Sequence, residues 1–123
     1  MSGSKILADT NTLIYLDKGL TNVAAMLDNK ELCVSFITEI ELLGFYRLGK
    51  EKIKHLESML LSTDIIEMNY FIKKTAIRTK QGKKIKTPDA IIAATAIEHD
   101  LPLLTADRGF GTIAELNCIF FEV

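Results

Sequence analysis

The chain has little of what would build a disulfide, zinc or membrane protein. Two cysteines occur in 123 residues, Cys33 and Cys118. Neither belongs to a C-x-x-C pair, and each sits in a short apolar run, so both are expected to be buried free thiols in a reducing, cytoplasmic setting. His55 and His99 lack partners at zinc-ligand spacing, which argues against a zinc site. No apolar run approaches the ~20 residues of a membrane span. Met1-Ser2-Gly3-Ser4 lacks a basic n-region and a long h-region, so no signal peptide is expected. Charge of one sign is also missing. Fifteen Lys and Arg against sixteen Asp and Glu leave a net charge of -1, a total that points to neither a nucleic acid nor a membrane partner.

What remains is an ordinary globular composition, 48% hydrophobic and 25% charged. The length suits one domain over residues 1–123 with a single packed core. Lys5–Ala8 reads as a buried strand ending at Asp9. Thr10–Leu16 and Thr21–Leu27 read as helices, broken near Gly19. Glu31–Ser35 is a strand, Thr38 to about Leu48 a helix stopped by Gly49, and Lys50–Leu61 a helix with Ile53, Leu56 and Leu60 at helical spacing. Asp64–Met68 is a strand. Asn69 caps a helix running to about Lys80 and ended by Gly82. Thr87 reads as the N-cap of a helix with Pro88 in its first turn, running to Glu98. Pro102–Ala106 and Cys118–Val123 are strands, separated by a short helical segment from Asp107. Strands that alternate with helices predict an α/β fold, a three-layer α/β/α sandwich with a central, mostly parallel five-stranded sheet.

Four acids sit where these elements meet: Asp9, Glu41, Asp89 and Asp107. Each has a plain structural reading. Asp9 and Asp107 can cap the helices that follow, Glu41 stands at capping-box spacing from Thr38, and Asp89 complements a helix dipole. Together they suggest more, because the carboxyl ends of strands in an open α/β sheet converge on one rim. Asp89 shares a helical face with Ile92, Ala93 and Ala96, and Glu41 shares one with Ile37 and Gly44. Unpaired carboxylates are costly in such places unless a cation lies among them. Hard oxygen donors select Mg²⁺ or Mn²⁺.

The balanced charge conceals an uneven distribution. Lys73, Lys74, Arg78, Lys80, Lys83, Lys84 and Lys86 fall within residues 73–86, a stretch without an acid. The remaining chain then carries eight basic against sixteen acidic residues. Such a run is either a solvated helix end with a mobile basic loop or a strip that tracks phosphates beside the acids. The second reading predicts binding that weakens steeply with salt.

Four segments resemble the motifs of PIN-domain ribonucleases, specifically the VapC-like toxins of toxin–antitoxin pairs. They are Ala8-Asp9-Thr10-Asn11, Ser35-x-x-Thr38-x-x-Glu41-Leu42, Pro88-Asp89-Ala90-x-Ile92-Ala93-Ala94-x-Ala96, and Leu104-Thr105-x-Asp107-x-x-Phe110. The resemblance implies that Asp9, Glu41, Asp89 and Asp107 are catalytic acids binding one or two Mg²⁺ or Mn²⁺ ions. Thr10, Asn11 and Thr105 are then supporting polar groups, and the basic run binds RNA. It further implies endonucleolytic RNA cleavage leaving a 5′-phosphate and a 3′-hydroxyl, a homodimer, and a small antitoxin as partner. Leu42, Leu43, Phe45 and Tyr46 make the third helix more apolar than one core face needs, which fits a partner surface or a broadly buried helix. Many relatives carry a further acid where this chain has Arg108-Gly109. A phosphorelay receiver would need an acidic pair after the first strand, where Thr10-Asn11 stands. A haloacid-dehalogenase-type phosphatase would need a second Asp at Asn11. A PIN fold that binds RNA or protein without cutting is the remaining alternative.

Overall fold

The computed structural model describes residues 4–123; residues 1–3, most of the N-terminal segment in which no signal peptide is expected, lie outside the described residues. Five strands form one sheet: β1 (Lys5–Ala8), β2 (Glu31–Ser35), β3 (Asp64–Ile66), β4 (Leu103–Thr105) and β5 (Cys118–Phe120). Their spatial order is β3-β2-β1-β4-β5, and every neighbouring pair is parallel. Register follows burial: Leu7 lies beside Cys33 and Leu103, and Val34 beside Ile65.

Because side chains alternate across a strand, the sheet offers two apolar faces. On one, Leu7, Cys33 and Leu103 pack against Ile92, Ala93 and Ala96 of helix α6 (Thr87–Glu98). Helix α5 (Tyr70–Gly82) packs in turn on α6 through Ile72, Ala76, Ala90, Ile91 and Ala94. On the other, Ala8 and Val34 meet Leu13 of α1 (Thr10–Asp17), Leu42 of α3 (Phe36–Leu43), and Leu56 and Leu60 of α4 (Lys50–Leu61). Ile6 and Leu104 meet Val23 of α2 (Thr21–Leu27). The layering is the expected α/β/α sandwich. Among the described residues no helix is long and apolar enough to cross a membrane.

Several boundaries differ from the sequence reading for identifiable reasons. Helix α3 begins earlier than Thr38, because the Ser35 hydroxyl accepts the Ile37 N–H and acts as the cap. Thr38 is instead fully buried within the helix, which removes the capping box proposed for Glu41. The same helix stops at Gly44, not Gly49. Phe45 leaves the helix, Tyr46 and Arg47 form a turn, and Gly49 precedes α4 with φ +85°, a conformation that favours glycine. Lys86, not Thr87, stands at the N-cap of α6 and offers no side-chain cap; Pro88 lies in the first turn as expected. Strands β3, β4 and β5 are shorter than their apolar runs, whose remaining residues continue as loop. Cys33 is buried, but Cys118 is only half-buried on the edge strand β5; both are free thiols.

One surface tie joins α1 to α4. Asp17 accepts hydrogen bonds from Lys52 and, at 2.5 Å, pairs with His55 Nε2. The hydrogen bond from Lys52 holds the Asp17 carboxyl below its ordinary value of 3.8, with His55 acting in the same direction against desolvation. A lowered acid stabilises the fold above its unfolded pKa and stops doing so as pH falls through the folded value. Asp17→Asn should therefore lower Tm at neutral pH, and the gap from wild type should close below about pH 3.8. Thermal scans of both proteins across pH 2–7 check this; a gap independent of pH would show that the ion pair carries none of it.

Candidate active site

The order β3-β2-β1-β4-β5 reverses direction at β1, and the chain leaves β1 at Asp9. Asp9 caps α1 and is 5% exposed. Its Oδ1 accepts the Thr12 N–H at 2.9 Å and the Thr12 hydroxyl at 2.6 Å, and its Oδ2 accepts the Thr105 hydroxyl at 2.5 Å. The Thr12 hydroxyl also lies 2.9 Å from the Leu104 carbonyl oxygen, tying α1 to β4 behind the carboxylate. Three donors thus hold Asp9 in one orientation and satisfy a buried charge.

Glu41 comes from the other side. The Thr10 hydroxyl donates to Glu41 Oε1 at 2.6 Å and lies 3.0 Å from the Thr38 hydroxyl. Asp89 lies in the first turn of α6 and is half-buried. Asp107 follows β4 as the N-cap of a 3-10 turn (Arg108–Thr112), and its Oδ1 accepts the Gly109 N–H at 2.9 Å. Thr105 links the two ends of the arrangement, because its hydroxyl also accepts the Asp107 N–H at 3.0 Å.

All four acids line a single cleft of about 290 Å³, together with Thr10, Asn11, Lys86, Ile92 and Phe110. Burial pushes the Asp89 carboxyl above its ordinary value of 3.8, and the negative charges of Asp107, Glu41 and Asp9 add to that push against Lys86. The electrostatic strain falls on the half-buried acid in the first turn of α6, which accepts no hydrogen bond among the described residues. Among the described residues, no three acidic, cysteine or histidine side chains close on a common point, so the acids ring the cleft without forming a finished ligand set. The physical reason is visible in the bonds: Asp9 is drawn back by Thr12 and Thr105, and Glu41 is drawn to Thr10. The donor chemistry nevertheless fits a hard divalent cation, since carboxylate oxygens of this kind select Mg²⁺ or Mn²⁺.

The basic run divides. Lys83, Lys84 and Lys86 line a second cleft of about 320 Å³ that shares Lys86, Asp89, Asp107 and Phe110 with the first. Lys80 donates to the Ile85 carbonyl oxygen at 2.8 Å, and Arg78 pairs with Glu115 at 3.1 Å. Lys74 lies 5.9 Å from the centre of the Tyr70 ring, and Lys73 is exposed on the same helix. These four stand apart from the acids. The loop expected to be mobile is anchored by Lys80 and by Ile85, which packs against the α5–α6 core. The sequence reading missed Thr12 and Thr38. Thr12 had a usable signal, the Asp-x-x-Thr spacing of a cap whose third residue donates back; Thr38 had none apart from its place in the second motif.

The sequence model of the PIN domain family matches residues 6–116. The chain belongs to the PIN domain family. Solved structures similar to this PIN domain include a chain of a toxin–antitoxin complex from Klebsiella pneumoniae, 29% identical. It covers 96% of this chain and 99% of that chain with a TM-score of 0.82. A chain of VapBC-1 from nontypeable Haemophilus influenzae is 25% identical over 94% and 97% of the two chains, TM-score 0.80. A chain of FitAcB from Neisseria gonorrhoeae is 26% identical over 93% and 96%, TM-score 0.76. No curated protein matches this PIN domain.

Proposed function

We infer that this PIN domain is a Mg²⁺- or Mn²⁺-dependent endoribonuclease and the toxin of a toxin–antitoxin pair. The observation that carries the reading is the convergence of Asp9, Glu41, Asp89 and Asp107, from four separate segments, on one cleft at the carboxyl edge of a parallel sheet. Asp9 is the central ligand, Asp89 and Asp107 complete the set, and Glu41 binds metal or orients water. A divalent ion bound there supplies charge neutralisation and a more acidic water for attack on a phosphodiester. The chain's own residues do the positioning. Thr12 and Thr105 fix Asp9, Thr10 turns Glu41, and the lysines of the adjoining cleft attract the phosphate backbone.

A raised acid loses native-state stability as pH climbs from its unfolded pKa to its folded one. The metal-free protein should therefore become less stable as pH rises above about 3.8 through the raised pKa of Asp89. Mg²⁺ or Mn²⁺ should raise Tm at neutral pH and barely at acid pH. Asp89→Asn should raise the metal-free Tm and remove most of the metal's effect. Scanning fluorimetry with and without the ion decides it; a metal effect equally large in acid would contradict the assignment.

Partner surfaces follow the same reading. Phe45 and Tyr46 are 71% and 79% exposed, and Ile40 and Leu61 are also exposed. Apolar side chains of this size on the outside fit a second copy of the chain or an antitoxin, in keeping with the toxin–antitoxin complexes to which similar chains belong. The test of function is incubation of total cellular RNA with antitoxin-free protein and Mg²⁺, Mn²⁺ or EDTA. Discrete fragments bearing 5′-phosphates, formed only with metal, are expected. Tight, salt-sensitive RNA binding without cleavage would instead identify a non-catalytic binding module.

A further inference from the structure

Among the described residues, Lys86 is the one basic residue lining the acid cleft. It also lines the adjoining cleft with Lys83 and Lys84, so it stands at the junction of the acids and the lysine-lined channel. Its backbone is held from several sides. The Lys86 carbonyl oxygen accepts the Ala90 N–H at 2.9 Å as the first bond of α6. The preceding residue, Ile85, is half-buried and packs against the cluster of Ile72, Ala76 and Ala94, and its carbonyl oxygen accepts from the Lys80 ammonium. The nearest basic residue along the chain from Asp107 is turned elsewhere: the Arg108 guanidinium donates to Glu122 at 3.0 Å and lies 4.6 Å from the centre of the Phe120 ring.

Hydrogen bonds already orient several of the carboxylate oxygens. Both oxygens of Asp9 accept hydroxyl or amide hydrogens, as do Glu41 Oε1 and Asp107 Oδ1. Among the described residues the two oxygens of Asp89, Glu41 Oε2 and Asp107 Oδ2 accept no such bond, while Asp9 Oδ2, Glu41 Oε1 and Asp107 Oδ1 each keep a second lone pair for a cation. Two-ion phosphodiester sites place a positive charge beside both the attacking and the leaving oxygen. Lys86 is exposed and lines the same cleft as the four acids, where its positive charge opposes the entry of a second divalent ion.

We propose that Lys86 contacts the scissile phosphate and supplies the second positive charge of the site, with one divalent ion bound and not two. The inference rests on the ribonuclease reading above. Hydrolysis forms a bond from a water oxygen to phosphorus and breaks the bond from phosphorus to the 3′ oxygen. The water's proton passes to solvent, the departing 3′ oxygen takes one from solvent, and Lys86 stays protonated throughout. Its ammonium, with three donors and no acceptor, suits a phosphate oxygen whose charge grows in the transition state.

The test uses the full chain, with wild type, Lys86→Met, Lys86→Arg and Lys84→Met compared on a single-stranded RNA that wild type cleaves. Lys86→Met should lower kcat about 100-fold with little change in KM, and Lys86→Arg should recover most of it. Lys84→Met should raise KM and flatten the salt dependence while keeping kcat. Separately, Mn²⁺ titration without RNA should give one ion per wild-type chain, bound more tightly by Lys86→Met because a repelling charge is gone. Two Mn²⁺ ions per wild-type chain, unaltered Mn²⁺ affinity in Lys86→Met, or unaltered kcat in that variant would each overturn the proposal. If wild type cleaves no RNA at all, the ribonuclease reading fails, and the Mn²⁺ titration still decides whether Lys86 shares the cleft with one ion.

Discussion

Asp9→Asn is expected to reduce RNA cleavage by about 10³-fold or more while leaving the fold nearly intact. Asn caps a helix as well as Asp does, so the bond from the Thr12 N–H survives the change. The other oxygen is less forgiving. The Thr105 hydroxyl donates to Asp9 Oδ2 and accepts from the Asp107 N–H, so an amide nitrogen in that place leaves the Thr105 O–H without its acceptor. The cost is about 1 kcal/mol, offset in part by the loss of one negative charge from the cleft. Asp9→Ala is the harsher variant: it removes the cap and strands the Thr105 hydroxyl, while the Thr12 hydroxyl keeps the Leu104 carbonyl oxygen, a combined loss of roughly 2–3 kcal/mol. A denaturation curve beside a cleavage assay separates chemistry from folding. Undiminished metal-dependent cleavage by Asp9→Asn would remove Asp9 from the active site.

Ala93→Leu should cost the most in stability, roughly 3 kcal/mol or about 10 °C in Tm. Ala93 is fully buried where α6 lies on the sheet, among Leu7, Cys33, Leu103 and Ala96. A methyl group there sets the approach of helix to strand, and an isobutyl group has no room without lifting the helix. The displacement would reach the cleft, because Asp89 is one turn before Ala93 on the same face. Activity measured well below the lowered Tm should therefore fall as well. Wild-type stability in this variant would mean that α6 is less closely packed than the buried alanines require.

The contrast between these two positions explains what the sequence makes legible. Periodicity and turn residues locate most helices and strands, since a parallel sheet with both faces covered leaves apolar runs with sharp ends. The four acids stand out because carboxylates at the edges of such runs conflict with the surrounding pattern. Hydroxyl partners are harder to see. Thr12, Thr38 and Thr105 are all fully buried, but threonine is unremarkable beside a strand or in a first helical turn. The cap of α3 was misplaced for a related reason, as Ser35 and Thr38 both suit an N-cap and only the packed structure shows which hydroxyl turns inward. The basic run posed the opposite difficulty. Its composition suggests one strip, yet helical geometry sends Arg78 to Glu115 and leaves Lys83, Lys84 and Lys86 beside the acids.

The sequence positions of the acids bear on when the cleft can form. Asp9 and Asp107 follow neighbouring strands, yet almost the whole chain lies between them, and β5 closes the edge beyond β4. Contacts of such long sequence separation form late and together. A ribosome-bound or prematurely ended chain lacking residue 107 has no complete cleft, however well its first half has folded. Synthesis itself thus leaves the acid cleft unassembled until the last strands emerge.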